Sequence, residues 1–171
     1  QALIDALLGL TVSPYKNYPA FRIQVRDIAA HVQGIWRLRD FIEYTRSVSA
    51  YEQPFVFLRN APLDPELPEL GNADPVFEKY KRKKTFVTEG FLQLYADLAG
   101  QHPIAYRNVN DGDVFQDIFP KEDLKDTQSQ KALGPIYFHK DLANHFVRPD
   151  HVNILGVRSS DANEITTTFV S

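Results

Sequence analysis

The apolar positions fall into two textures. Residues 2–10 (ALIDALLGL) are apolar with a break at Asp5, and their spacing predicts a short amphipathic helix. From about Asp27 to Ser47, Ile28, His31/Val32, Ile35, Leu38 and Ile42 recur at helical spacing. Residues 74–84 read as a polar helix. Thr88 is placed to N-cap a further helix running to about Ala99, with Phe91, Leu94, Tyr95 and Leu98 on one face and Gly100 ending it.

The second texture is strand-like. Gln53 to Arg59 is an apolar run between turn formers and predicts a buried strand, followed by a proline-spaced loop from Asn60 to Pro68. Beyond Gly100 come Pro103 to Tyr106, a turn from Asn108 to Gly112, and the alternating Val114 to Phe119. A polar loop (121–131) leads to Gly134–Phe138; His151–Arg158 and Thr166–Val170 then read as strands. Helices first and strands later predict an α+β, mainly β architecture in which N-terminal helices lead into an antiparallel jelly roll. The expected organisation is a single domain over 1–171, with a helix-rich shell at 1–100 and the first sheet strands at 101–171. Such a roll needs about eight strands, so the sheet is expected to be incomplete within these residues.

Composition narrows the chemistry. A net charge of −3 gives no electrostatic case for nucleic acid or an anionic membrane surface. The basic run Lys79–Lys84 has Glu78 and Glu89 on its flanks and reads as a solvated helix face. The absence of cysteine excludes disulfides, thiolate metal sites and thiol catalysis, and suits a cytoplasmic protein. No apolar run approaches the ~20 residues of a membrane span. There is no G-x-S-x-G elbow, no glycine-rich phosphate loop and no H-E-x-x-H. The letters His139-Lys140-Asp141 do not fit the H-x-K phosphodiesterase pattern, because Lys140 is adjacent to the histidine.

His139 and Asp141 are the strongest chemical signal. On an extended backbone, side chains at i and i+2 point to one side, so both can meet one ion. One imidazole and one carboxylate suit a metal such as iron(II), which two histidines and one carboxylate hold on one face of an octahedron. By itself a surface histidine beside an aspartate is commonplace. His145 and His151 read more simply as an outward-facing residue and a strand position than as a further ligand; His31 and His102 read as helix-face and turn residues.

The surroundings add weight. The stretch from His139 through Arg148-Pro149-Asp150-His151-Val152 to Arg158 resembles what clavaminate-synthase-like iron(II)/2-oxoglutarate oxygenases carry after their metal strand. Thr168-Phe169-Val170 is similar to the family's T-L-V strand. Phe55 to Pro62 resembles the strand before its proline-rich loop, and Gln116 to Pro120 resembles its Q-D-x-x-P element. Ser129 lies where a substrate-contacting serine is expected. The resemblance spans residues 53–171.

It implies a jelly-roll (double-stranded β-helix) oxygenase using iron(II), 2-oxoglutarate and O2 to hydroxylate an unactivated C–H of an amino acid, free or carrier-bound, with a basic one such as lysine or arginine favoured. His139 and Asp141 would be metal ligands, Thr168 would help bind the 2-oxoglutarate carboxylate, and Gln116 and Ser129 would contact the amino acid. Many relatives have Glu where Asp141 stands; a monodentate carboxylate suffices. The family's second histidine and its 2-oxoglutarate arginine are expected from sequence beyond residue 171. The alternative of a different class is a non-catalytic binding module that keeps the oxygenase scaffold.

Overall fold

The computed structural model describes residues 1–49, 51–70, 75–118, 121–129, 131–132, 134, 136–142 and 144–158. Five α-helices are present among them: α1 (Ala2–Leu8), α2 (Tyr18–His31), α3 (Ile35–Ser47), α4 (Pro75–Arg82) and α5 (Val87–Leu98). Two single 3₁₀ turns, Asn110–Gly112 and Glu122–Leu124, complete the regular structure. The chain groups into two compact units. Among the described residues, one comprises those of 1–67, 84–103 and 154–158; the other comprises those of 68–83 and 104–153.

In the first unit α1, α2 and α5 pack on one another. Leu7, Leu10, Phe21, Val25, Val87, Phe91, Leu94 and Ala96 are buried apolar residues of this unit. α2 starts because the Asn17 side chain accepts from the Ala20 amide at 3.1 Å, with Pro19 in the first turn where no amide partner is needed. Phe21 and Val25, four residues apart, then share its inner face. α1 comes close to α5 at Gly90, where an added Cβ would lie 2.6 Å from Leu10 Cδ1 and 2.9 Å from Leu7 Cδ2.

A polar ladder runs beside this core. Glu89, Gln93 and Asp97 recur every fourth residue on α5 and form one stripe. The Tyr15 hydroxyl donates to Glu89, the Tyr18 hydroxyl donates to Gln93 Oε1 at 2.6 Å, and the Arg22 guanidinium donates to Asp97 Oδ1 at 2.6 and 3.1 Å. Burial raises the Tyr18 pKa above the ordinary tyrosine value, against the opposing pull of Arg22.

The periodic segment from Asp27 to Ser47 is two helices rather than one. Val32 is extended, and Gly34 takes φ +79°, a left-handed conformation that ends the run and starts α3. The N-cap position of α5 is Phe86, not Thr88. Its free amides are satisfied from a distance: the Asp64 carboxylate accepts from Val87 N at 2.9 Å and Thr88 N at 3.1 Å, and also from the Thr88 hydroxyl.

The expected mainly β jelly roll is overturned: among the described residues the fold is helical and contains no strand or sheet. The segments from Phe55, Val114, Ile136 and Val152 are apolar, but their side chains do not form a buried sheet face. Phe57 is 76% exposed, Phe138 77% and Ile154 79%. In the second unit several main-chain hydrogen bonds close short turns, as in Val109 N to Tyr106 O, Thr127 N to Leu124 O and His145 N to Leu142 O, and one, from Lys121 N to Lys131 O, closes a longer loop. Strand propensity spans only ~1 kcal/mol and acts through packing on neighbouring strands. Without a ladder partner, alternation alone does not build a sheet.

Candidate metal and substrate site

His139 and Asp141 flank Lys140 on the exposed side of the second unit. The backbone brings their side chains together, with His139 Nε2 at 3.6 Å from Asp141 Oδ1. Both are about half exposed, at 52% and 55%. The other ring nitrogen, Nδ1, lies 2.8 Å from the Tyr137 carbonyl oxygen. A carbonyl only accepts, so Nδ1 is the donor in that contact, and Nε2 is the ring nitrogen on the Asp141 side.

The Tyr137 main chain is itself fixed. Its amide donates to Gln128 Oε1 at 2.8 Å, which ties the polar loop to the segment carrying the histidine. Leu142, immediately past the pair, has φ +50°, and His145 N donates to its carbonyl at 2.8 Å, so the chain turns sharply after Asp141.

Two ligands each about 2.1 Å from one ion are at most about 4.2 Å apart. A separation of 3.6 Å therefore lets both donors reach one ion. A histidine whose second nitrogen donates to a backbone carbonyl has the arrangement usual for metal-bound imidazole. Among the described residues no group of three or more His, Cys, Asp or Glu side chains is placed to hold a metal. His145 is turned to other work: its ring stands edge-on to Tyr106 at 4.8 Å, and its Nδ1 lies 2.7 Å from the Val147 carbonyl oxygen.

Ser129 is partly buried one residue after Gln128. Its amide donates to Thr127 Oγ1 at 3.2 Å and its Oγ accepts from Lys131 N at 3.1 Å. Gln116 is exposed. Thr168 lies outside the described residues.

The largest departure from expectation is Lys79. Within the basic run read as a solvated face, it is only 1% exposed. Its Nζ lies 3.2 Å from Asp113 Oδ2 and 2.9 Å from Asp117 Oδ2, and donates to the Phe115 carbonyl at 3.2 Å. The contact with Asp117 is a charge pairing outside hydrogen-bond alignment. The Tyr80 hydroxyl also donates to Asp113 Oδ2, at 2.7 Å. Nearby, burial lowers the Lys131 pKa, helped by the positive charge of Lys121 and opposed by Asp117.

No helix among the described residues is long and apolar enough to cross a membrane. No family model matches the chain. No solved structure matches it. Over 169 residues the chain is 27% identical to clavaminate synthase 2 of Streptomyces clavuligerus, covering 95% of the chain and 50% of that protein. The chain thus spans about half the length of this relative.

Proposed function

We propose that this chain is part of an iron(II)- and 2-oxoglutarate-dependent oxygenase that hydroxylates an unactivated C–H of an L-amino acid, with lysine and arginine as the first candidates. The observation that carries the reading is the His139–Asp141 pair, with two metal-capable donors 3.6 Å apart and the imidazole Nδ1 2.8 Å from the Tyr137 carbonyl oxygen. The similarity to clavaminate synthase 2 supports it.

In this reading His139 Nε2 and the Asp141 carboxylate hold the metal, and Thr168 helps bind the carboxylate of 2-oxoglutarate. Gln116 and Ser129 orient the amino acid. The bound iron(II) supplies the chemistry by which 2-oxoglutarate and O2 become succinate and CO2 while one oxygen atom enters the substrate C–H bond. The protein's share is positional: it orients the imidazole through the Tyr137 carbonyl and presents the target carbon. The Ser129 hydroxyl oxygen accepts from Lys131 N, and a hydroxyl can donate as well as accept.

The test is turnover. The intact protein, given iron(II), ascorbate and 2-oxoglutarate, is screened against the twenty protein L-amino acids for succinate and for product one oxygen atom heavier. Succinate formation that depends on one amino acid, with matching oxygenated product, is the expected result. Uniform inactivity with a folded protein contradicts the proposal and favours a binding module.

A further inference from the structure

We infer that Lys79 is a positioning residue that holds the 113–117 segment so that Gln116 is presented to the amino-acid substrate. The inference rests on the proposed role of Gln116 in contacting that substrate.

The geometry is a clamp. One ammonium group meets three alternate residues of a five-residue stretch: the Asp113 carboxylate, the Phe115 carbonyl and the Asp117 carboxylate. These contacts bracket Gln116 on both sides, while Gln116 itself stands exposed. The Tyr80 hydroxyl, from the next residue of α4, adds a second hold on Asp113. The segment between residues 110 and 118 has only the single turn Asn110–Gly112 as regular structure, so a helical ladder does not position Gln116.

Stability alone does not account for such a device. Removing an ammonium from water is costly, and replacing a buried ion pair with apolar side chains of similar volume is often neutral or stabilising. A charged clamp instead imposes one geometry on the groups it joins, as a substrate contact requires. Two hydrogen-bonded partners and a second carboxylate around one Nζ discriminate between backbone positions that an apolar contact would tolerate.

The experiment uses the intact protein and the amino acid turned over fastest in the screen above. Lys79→Met, Lys79→Arg, Gln116→Ala and the Lys79→Met/Gln116→Ala double variant are compared by kcat and by KM for each co-substrate. Amide hydrogen exchange across 113–118 is followed in parallel. Lys79→Met is expected to raise the amino-acid KM at least tenfold while the 2-oxoglutarate KM stays within twofold, and Lys79→Arg is expected to recover most of the loss. The double variant is expected to be no worse than Gln116→Ala alone, because both changes remove one function. Exchange at 113–118 is expected to quicken in Lys79→Met and to stay unchanged in Gln116→Ala.

Losses that add, equal rises in both KM values, or unchanged exchange overturn the positioning role. If Lys79→Met does not fold, Asp117→Asn replaces it. That variant leaves Lys79 paired with Asp113, and an amino-acid KM raised about threefold supports the clamp, whereas an unchanged one overturns it. The two levels separate cleanly. If Gln116→Ala leaves the amino-acid KM unchanged, or no amino acid is turned over, the substrate reading fails and the inference falls with it. If Gln116→Ala raises KM and Lys79→Met does not, only the inference fails.

Discussion

Gln128 and Tyr137 are joined by a hydrogen bond, 2.8 Å from the Tyr137 amide to the Gln128 side-chain oxygen, and through it the polar loop braces the residue whose carbonyl orients His139. Groups that orient a metal-bound histidine typically change metal affinity 10–100-fold when removed. Because this bond is exposed, Gln128→Ala is expected to weaken iron(II) binding by about tenfold, the low end of that range. The urea midpoint should move little, since surface changes usually stay within about 0.5 kcal/mol. Titration of the apoprotein with iron(II) under anaerobic conditions checks the first effect and equilibrium unfolding checks the second.

Asp64 is expected to be among the most sensitive positions for stability. It is buried and accepts from two main-chain amides and one hydroxyl at the start of α5. Loss of an N-cap costs ~0.5–2 kcal/mol, and buried donors left without partners cost a further ~1–3 kcal/mol. Asp64→Ala should therefore destabilise by about 2–4 kcal/mol. Asp64→Asn retains one acceptor oxygen and should cost about half as much. Urea unfolding followed by far-ultraviolet circular dichroism reads both.

These two bonds show what the sequence could and could not reveal. α1, α4 and α5 were legible because helical spacing is a local property, and their observed limits lie within a few residues of the expected ones. The cap on α5 was not, because Asp64 acts from 23 positions away, and only the fold brings it to Val87. Thr88 carries the side chain of a good N-cap, yet it donates its hydroxyl to Asp64. Gly34 sat inside the periodic stretch at 27–47, and its left-handed φ divides that stretch into two helices.

The strand-like segments illustrate a different limit. Alternation at Val114 to Phe119 and the apolar run at Phe55 to Leu58 record side-chain preference, whereas a sheet needs a partner backbone. The proximity of His139 and Asp141 was readable because side chains two residues apart need no distant part of the fold to meet. Lys79 was misread because its counter-ions lie 34 and 38 positions downstream, and nothing in the run Lys79–Lys84 distinguishes the buried lysine from the exposed ones.

Gly90 offers a test in which two effects of opposite sign compete. Alanine is ~1 kcal/mol better than glycine in a helix interior. A Cβ here would press on Leu10 Cδ1 and Leu7 Cδ2 at 2.6 and 2.9 Å, and both leucines are buried, so neither can move aside freely. Overpacking of this kind costs ~1–3 kcal/mol. Gly90→Ala should accordingly be destabilised by about 1 kcal/mol, read as a lower urea midpoint with an unchanged slope; stabilisation would show that α1 yields.

Tyr18 predicts an alkaline dependence. Its folded pKa is raised above the ordinary value of 10.0, chiefly by burial, so the fold favours the protonated phenol. That contribution is fully present below pH 10 and is lost as pH rises through the folded value. Tyr18→Phe should flatten the alkaline limb of stability against pH. It should also lose about 1 kcal/mol at neutral pH for the bond to Gln93. Urea midpoints between pH 8 and 11.5 compare the two proteins.

The most direct test of the central claim is the weak visible charge-transfer band that forms when iron(II) and 2-oxoglutarate bind together, measured anaerobically on the intact protein and on Asp141→Ala. The account predicts that the band forms in the parent protein and is abolished in Asp141→Ala, while far-ultraviolet circular dichroism shows the variant folded. A band of undiminished intensity in Asp141→Ala would contradict the assignment of the His139–Asp141 pair as the metal-holding site.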